Sequence, residues 1–129
     1  MRPIAKLACF AIAVLPRLFA IPLAYSTAHE IHLDPKVAEA LLIHKEEPAC
    51  QKDPDGIKVT GTVVIAITIN KSGMVSYSRT LSGPRLLRPL ALATVRKYRY
   101  KPYLLNNRPV AVETAVSIQM DCIIHTGQA

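Results

Sequence analysis

The sequence predicts an α+β domain: a three-stranded antiparallel sheet of strand order 2-1-3, with helices packed on one face. Three observations carry this. Two runs, residues 59–69 and 110–120, alternate with period 2 and are rich in β-branched side chains. A third run, residues 74–81, returns from the first across the turn Asn70-Lys71-Ser72-Gly73. Between the second and third strands, Leu87, Leu90, Ala91, Thr94, Val95 and Tyr98 recur at helical spacing.

In chain order, the N-terminus comes first. Arg2 and Lys6 precede an almost wholly apolar stretch, residues 7–24, and the small-residue run Ala24-Tyr25-Ser26-Thr27-Ala28 follows. This is the layout of a secretory signal peptide, with cleavage after Ser26 or Ala28. The alternative is a retained membrane anchor. Arg17 near the middle of the stretch would cost roughly 3 kcal/mol there, and Pro16 and Pro22 weaken a spanning helix further. Removal is therefore favoured, giving residues 1–26 as signal and 27–129 as one domain outside the cytoplasm. Membrane contact follows only if the segment is retained.

The domain opens with a short lead-in, residues 29–33, read as extended. Asp34-Pro35 then supplies an acceptor cap and a proline at the first helical position. Val37, Ala40, Leu41 and His44 continue at helical spacing, so the first helix is expected to run to about His44. Pro48, Pro54 and Asp55-Gly56 mark residues 45–58 as loop. In the first strand Val59, Gly61, Val63, Ile65, Ile67 and Ile69 share one face. Thr60, Thr62, Val64, Ala66 and Thr68 share the other, so both faces are expected to be covered. Gly73 is available for positive φ in the turn. Ser82-Gly83-Pro84 ends the second strand, and Pro89 sets the start of the second helix, since a proline deep inside would clash. Arg96, Lys97, Arg99 and Lys101 gather where that helix ends and complement its dipole. Residues 100–107 read as a connector with turn chemistry at Asn106-Asn107. In the last strand Val110, Val112, Thr114, Val116, Ile118 and Met120 face one way, and Ala111, Glu113, Ala115, Ser117 and Gln119 the other. Residues 121–129 carry no clear pattern.

The helix between the second and third strands is a crossover, so those two run parallel with the first between them. That topology leaves both outer strands as edges. It also brings Cys50, which precedes the first strand, near Cys122, which follows the third. With Cys9 in the signal segment, the pair stands alone in an oxidising compartment, which favours a disulfide over two unrelated buried thiols. Such a bridge, closing 72 residues of sequence separation, is worth up to about 4 kcal/mol if unstrained.

The charge balance excludes little by itself. Removing Arg2, Lys6 and Arg17 from the 16 basic residues leaves 13 against 9 acidic ones, a net +4. Arg96-Lys97-Tyr98-Arg99-Tyr100-Lys101 suggests nucleic acid, but Tyr98 belongs to the apolar stripe and the charges suit a helix end. A structural role is favoured, and no nucleic-acid partner is expected. His29 and His32 have metal-ligand spacing without a third ligand, and they read as a solvated N-terminal tail. His44 reads as a helix-end residue, His125 as tail, and Glu46-Glu47 as solvated loop. There is no nucleophile elbow and no phosphate-binding glycine loop, so neither enzymatic activity nor a cofactor or metal is expected.

An ordered set of short motifs resembles the TonB C-terminal-domain family. Its pieces are Gly61-Thr62-Val63, Lys71-Ser72-Gly73, Ser82-Gly83, Tyr98-Arg99-Tyr100-Lys101-Pro102-Tyr103, Asn106-Asn107-Arg108-Pro109-Val110 and Glu113-Thr114. The likeness covers roughly residues 37–120. Tyr98 stands where the family keeps tryptophan and Asn107 where it keeps glycine. Pro48-Ala49-Cys50-Gln51 replaces an aromatic-proline signature, and the long proline-rich spacer of a full transducer is not seen. The resemblance implies a periplasmic protein-interaction domain of energy-transducer type. In that family the edge of the last strand, here residues 110–120, accepts a peptide of a TonB-dependent outer-membrane receptor as an added strand. Homodimerisation through edges is a further expectation, and a secreted, envelope-associated structural or self-assembling domain is the alternative.

Overall fold

The computed structural model describes residues 30–51 and 55–125, together with positions 13, 14, 16 and 20. Apart from those four positions, the signal segment lies outside the described residues, as do both cleavage points and His29. Among the described residues no helix is long and apolar enough to cross a membrane.

In chain order the elements are β1 (Ile31–His32), α1 (Pro35–Ala40), β2 (Leu42–His44), β3 (Ile57–Ile69) and β4 (Val75–Ser82). A 3-10 turn (Arg85–Leu87) and α2 (Arg88–Val95) follow, then β5 (Arg99–Tyr100), β6 (Tyr103–Leu105), β7 (Arg108–Val110) and β8 (Val112–Ile124). The main sheet has order β1-β8-β3-β4. Two expectations need correction here. The sheet has four strands, not three, and it is not antiparallel throughout, because β1 runs parallel to β8. Within it the three long strands do lie with β3 between β4 and β8. The lead-in joins because the β8 edge offers backbone groups to it: Leu33 N–H donates to the Glu113 carbonyl at 2.7 Å.

α1 starts as its sequence dictates, with the Asp34 carboxylate accepting from the Lys36 N–H at 2.8 Å and proline in the first turn. It stops at Ala40, well short of His44. Leu42–His44 instead pairs antiparallel with β5, and Lys101 N–H donates to the Leu41 carbonyl at 2.7 Å. A helix this short is marginal by itself, so an available strand partner overrides the local periodicity.

β3 and β8 pair without a break over 13 residues each, from Ile57↔Ile124 to Ile69↔Val112. This moves the last strand relative to the sequence reading. Val110 belongs to β7, Ala111 is a link, and residues 121–124 are strand, because β3 continues far enough to pair them. The expected connector contains a hairpin, β6–β7, whose two turn residues Asn106 and Asn107 have φ of 51° and 63°. Positive φ at both central positions is what a tight hairpin turn needs, and asparagine tolerates it.

The core lies on one face of the sheet. Val63, Ile65, Ile67 and Ile69 of β3 and Val112, Ile118, Met120 and Cys122 of β8 are buried against Leu87, Ala91, Val95 and Tyr98. α2 ends at Val95, so Tyr98 reaches the core from beyond the helix. Thr94 is buried with its hydroxyl donating to the Leu90 carbonyl at 2.8 Å, which satisfies it inside the helix. The opposite face of β3 is not covered as expected: Thr60 and Thr62 are exposed, and Val64, Ala66 and Thr68 are half-buried. At the β3–β4 turn the Asn70 side-chain oxygen accepts from the Ser72 and Met74 N–H groups, both at 3.0 Å. Gly73 has φ of 82°, and a Cβ there would collide with the Tyr100 carbonyl. Only glycine fits that approach.

Candidate functional site

β8 is asymmetric. One side is paired with β3 along its whole length. On the other side, β1 pairs at Val112 and Glu113, and Gln51 bridges Ile123. Among the described residues nothing pairs with that side between these two clamps. Because the Glu113 carbonyl faces β1, strand alternation places the backbone groups of Ala115, Ser117, Gln119 and Asp121 on the same open side. Four residues thus present N–H and C=O groups in register over about 20 Å of strand.

The sequence-predicted edge, residues 110–120, is therefore redistributed. Val110 and Ala111 precede the strand, Val112 and Glu113 are already paired with β1, and residues 114–120 lie on the open stretch. Thr114, Ile118 and Met120 are buried toward the core and Val116 is half-buried. Glu113 and Ala115 are half-buried, while Ser117 and Gln119 are exposed. Sequence reasoning missed both clamps. Ile31 and Leu33 were their nearest signal at one end; a single bridging residue, Gln51, leaves none at the other.

The second clamp is covalently backed. Cys50 and Cys122 form a disulfide, their Cα atoms 4.9 Å apart. Gln51, next to Cys50, is thereby held at the end of β8.

Beside the open stretch lies a cavity of about 240 Å³ between α1 and β8. Ala38, Leu42, Tyr98 and Tyr100 supply apolar walls, Lys36, Glu39 and Lys45 charged ones, and residues 115–117 the strand side. Tyr98 is 1% exposed, yet its hydroxyl has no hydrogen-bond partner among the described residues; the Thr114 hydroxyl is in the same condition. Burial raises the Tyr98 hydroxyl above its ordinary pKa, with the Glu47 charge adding to it. Burial likewise pushes Tyr100 far up, helped by Tyr98 and Glu39.

The strand register also assembles a cluster the sequence did not show. Glu30 and His32 meet Glu113, their candidate ligand atoms all within 4.8 Å of one another. His32 Nδ1 lies 3.5 Å from a Glu113 carboxylate oxygen. A hydrogen bond with Glu30, then partial burial and the Glu30 charge, raise the Glu113 pKa; His32 and Arg79 oppose this. One imidazole and two carboxylates are a donor set that could hold a divalent cation.

The remaining polar candidates have local partners. Arg99 donates to the Arg96 and Tyr98 carbonyls at 3.3 and 3.0 Å, binding the chain just past α2. His44 lies in β2, not at a helix end, and its Nε2 contacts Glu46 at 3.0 Å. That hydrogen bond, followed by the Lys97 charge, holds Glu46 below the ordinary carboxylate range. These contacts occupy part of the basic run Arg96 to Lys101.

Residues 56–120, just over half of the 129-residue chain, match the family described as Gram-negative bacterial TonB protein C-terminal. Comparison with curated proteins finds no match. The family comprises periplasmic, transport-related, non-enzymatic protein-interaction domains. The matched region runs from the start of β3 into β8, while β1, α1, Cys50, Gln51 and Cys122 lie outside it.

Proposed function

The chain belongs to the Gram-negative bacterial TonB C-terminal family, and on that premise we propose that it is a periplasmic binding domain that takes an extended peptide segment along the open edge of β8. The partner of this kind is a TonB-dependent outer-membrane receptor, docked as it docks the corresponding part of energy transducers. The observation that carries the reading is the backbone of Ala115, Ser117, Gln119 and Asp121, unpaired among the described residues between two occupied ends. An added strand satisfies these groups, so affinity comes from the main chain, and adjacent side chains select the sequence. Residues 1–26 act as the export signal in this reading. Hydrogen exchange with and without receptor-derived peptides tests it: bound peptide slows exchange of the amides at 115, 117, 119 and 121. No added protection there would overturn the assignment.

One observation favours the alternative, an envelope-associated domain that self-assembles. β4 is the opposite outer strand, and Tyr77 and Leu81 on it are exposed. Edge-to-edge pairing there would give homodimers. Sedimentation over a wide concentration range decides the matter, and a monomer at the highest concentration removes this alternative.

A further inference from the structure

We propose that Glu30, His32 and Glu113 form a binding site for one divalent ion of the zinc class, and that the bound ion fastens β1 to β8.

The placement follows from strand alternation. Ile31 and Leu33 pack against the core, so Glu30 and His32 take the opposite face of the sheet. Val112 and Thr114 are buried, so Glu113 lies on that same outer face. Parallel pairing sets His32 beside Glu113, and the Leu33 N–H bond to the Glu113 carbonyl, 2.7 Å, holds the register. Donors distant in sequence are therefore gathered by the backbone. By spacing alone His29 is the companion of His32; register supplies Glu113 instead.

The geometry and the chemistry favour zinc. A tetrahedral zinc ion with bonds of about 2.1 Å holds its ligand atoms about 3.4 Å apart. His32 Nδ1 and a Glu113 oxygen already stand 3.5 Å apart, and all three candidate atoms lie within 4.8 Å of one another. Rotation of the exposed Glu30 side chain closes the remainder. The charge pattern points to a cation independently. Two carboxylates meet here, and among the described residues no lysine or arginine forms an ion pair with either. Arg79 acts on Glu113 only from beyond ion-pair distance. Adjacent like charges repel, and a divalent ion between them turns that repulsion into attraction. An imidazole among the donors suits a zinc-class ion, whereas calcium and magnesium take oxygen ligands.

The consequence falls at one end of the open stretch. β1 is only two residues long, so backbone pairing alone holds it weakly. An ion shared by side chains of both strands makes it a firm boundary, as the disulfide-backed Gln51 is at the other end. The site itself stands whatever docks between them.

The test uses the exported, disulfide-bonded protein, freed of metal by a chelator and titrated with zinc chloride in a calorimeter. Saturable binding at a single site is expected. His32→Ala and Glu30→Gln, both at exposed positions, should each weaken it by roughly 10-fold or more. His44→Ala, which removes the imidazole–carboxylate contact elsewhere, should leave it unchanged. Hydrogen exchange adds a readout that loose surface binding does not move. Zinc at about 100 times its Kd should slow exchange of the Leu33 amide by up to roughly 100-fold, and calcium should not. The proposal is overturned if zinc fails to bind, if His32→Ala or Glu30→Gln binds as the native protein does, or if His44→Ala abolishes binding. Zinc binding with the Leu33 amide exchanging at its metal-free rate overturns the fastening of β1. Calcium matching zinc overturns the assignment to a zinc-class ion.

Discussion

The two outer strands of the sheet meet the same hazard in different ways. β4 pairs with β3 only from Val64↔Ser82 to Ile69↔Val75, and the register shifts twice, between Val64 and Ile65 and between Thr68 and Ile69. Such irregularities twist an edge and make it a poorer template for an added strand. β8 pairs with β3 over its whole length with no shift at all. Among the described residues its other side is covered only at the ends, by β1 and by Gln51. One edge is made irregular and the other is kept regular but fenced. The physical lesson is that a regular, length-limited edge suits a specific added strand better than a bulged one does.

The largest effect should come from unfastening the fence. Replacing Cys50 and Cys122 together by serine removes the bridge and should lower unfolding stability by about 3–4 kcal/mol. Urea unfolding of the native and double-variant proteins measures this. A loss under about 1 kcal/mol would mean that the bridge does not hold this end of β8.

Next is the turn that sets β4. Gly73→Ala places a side chain at φ of 82° against the Tyr100 carbonyl and should cost about 2 kcal/mol or more. A variant as stable as the native protein would show that the β3–β4 turn does not depend on this approach.

The comparison is sharpened most directly by proline at the centre of the open stretch. Ser117→Pro deletes an outward N–H while sparing the ladder with β3, so stability should change by about 1 kcal/mol or less. Peptide binding should fall by roughly 10-fold or more. The inward position Ile118→Pro should instead unfold the sheet, since its N–H faces β3. If both variants bind peptide normally, β8 is not the docking edge.

The smallest effect is electrostatic. Glu46 is held below its ordinary pKa by His44 and then by Lys97, so its contribution is present above the unfolded carboxylate pKa and is lost as pH falls through the lower folded value. Glu46→Gln should move the melting temperature by no more than roughly 2 °C near neutral pH. The difference from the native protein should vanish in acid. A difference that grows in acid would contradict the assigned sign.

Much of this molecule was legible in the residues. The period-2 runs gave β3, β4 and β8, and the Leu87-to-Val95 stripe gave α2, because each pattern is a local property that the fold leaves intact. The Asp34-Pro35 cap placed the start of α1 for the same reason, and Gly73 its turn. Cys50 and Cys122 were brought together by topology alone, since neighbouring antiparallel strands put the entry of one beside the exit of the other. The family likeness rested on motifs carried by those same elements.

What only the tertiary structure decided depends on partners distant in sequence. Leu42–His44 has helical spacing and still pairs with Arg99–Tyr100, because an exposed ladder outbids the last turn of a short helix. Ile31–His32 is too short to carry a period, and it becomes strand only because the β8 edge receives it. Residues 121–124 extend β8 because β3 reaches far enough to hold them. The limits of the open edge and the Glu30–His32–Glu113 cluster arise from these pairings. Sequence determined which residues alternate; register, which is non-local, determined which backbone groups remained free.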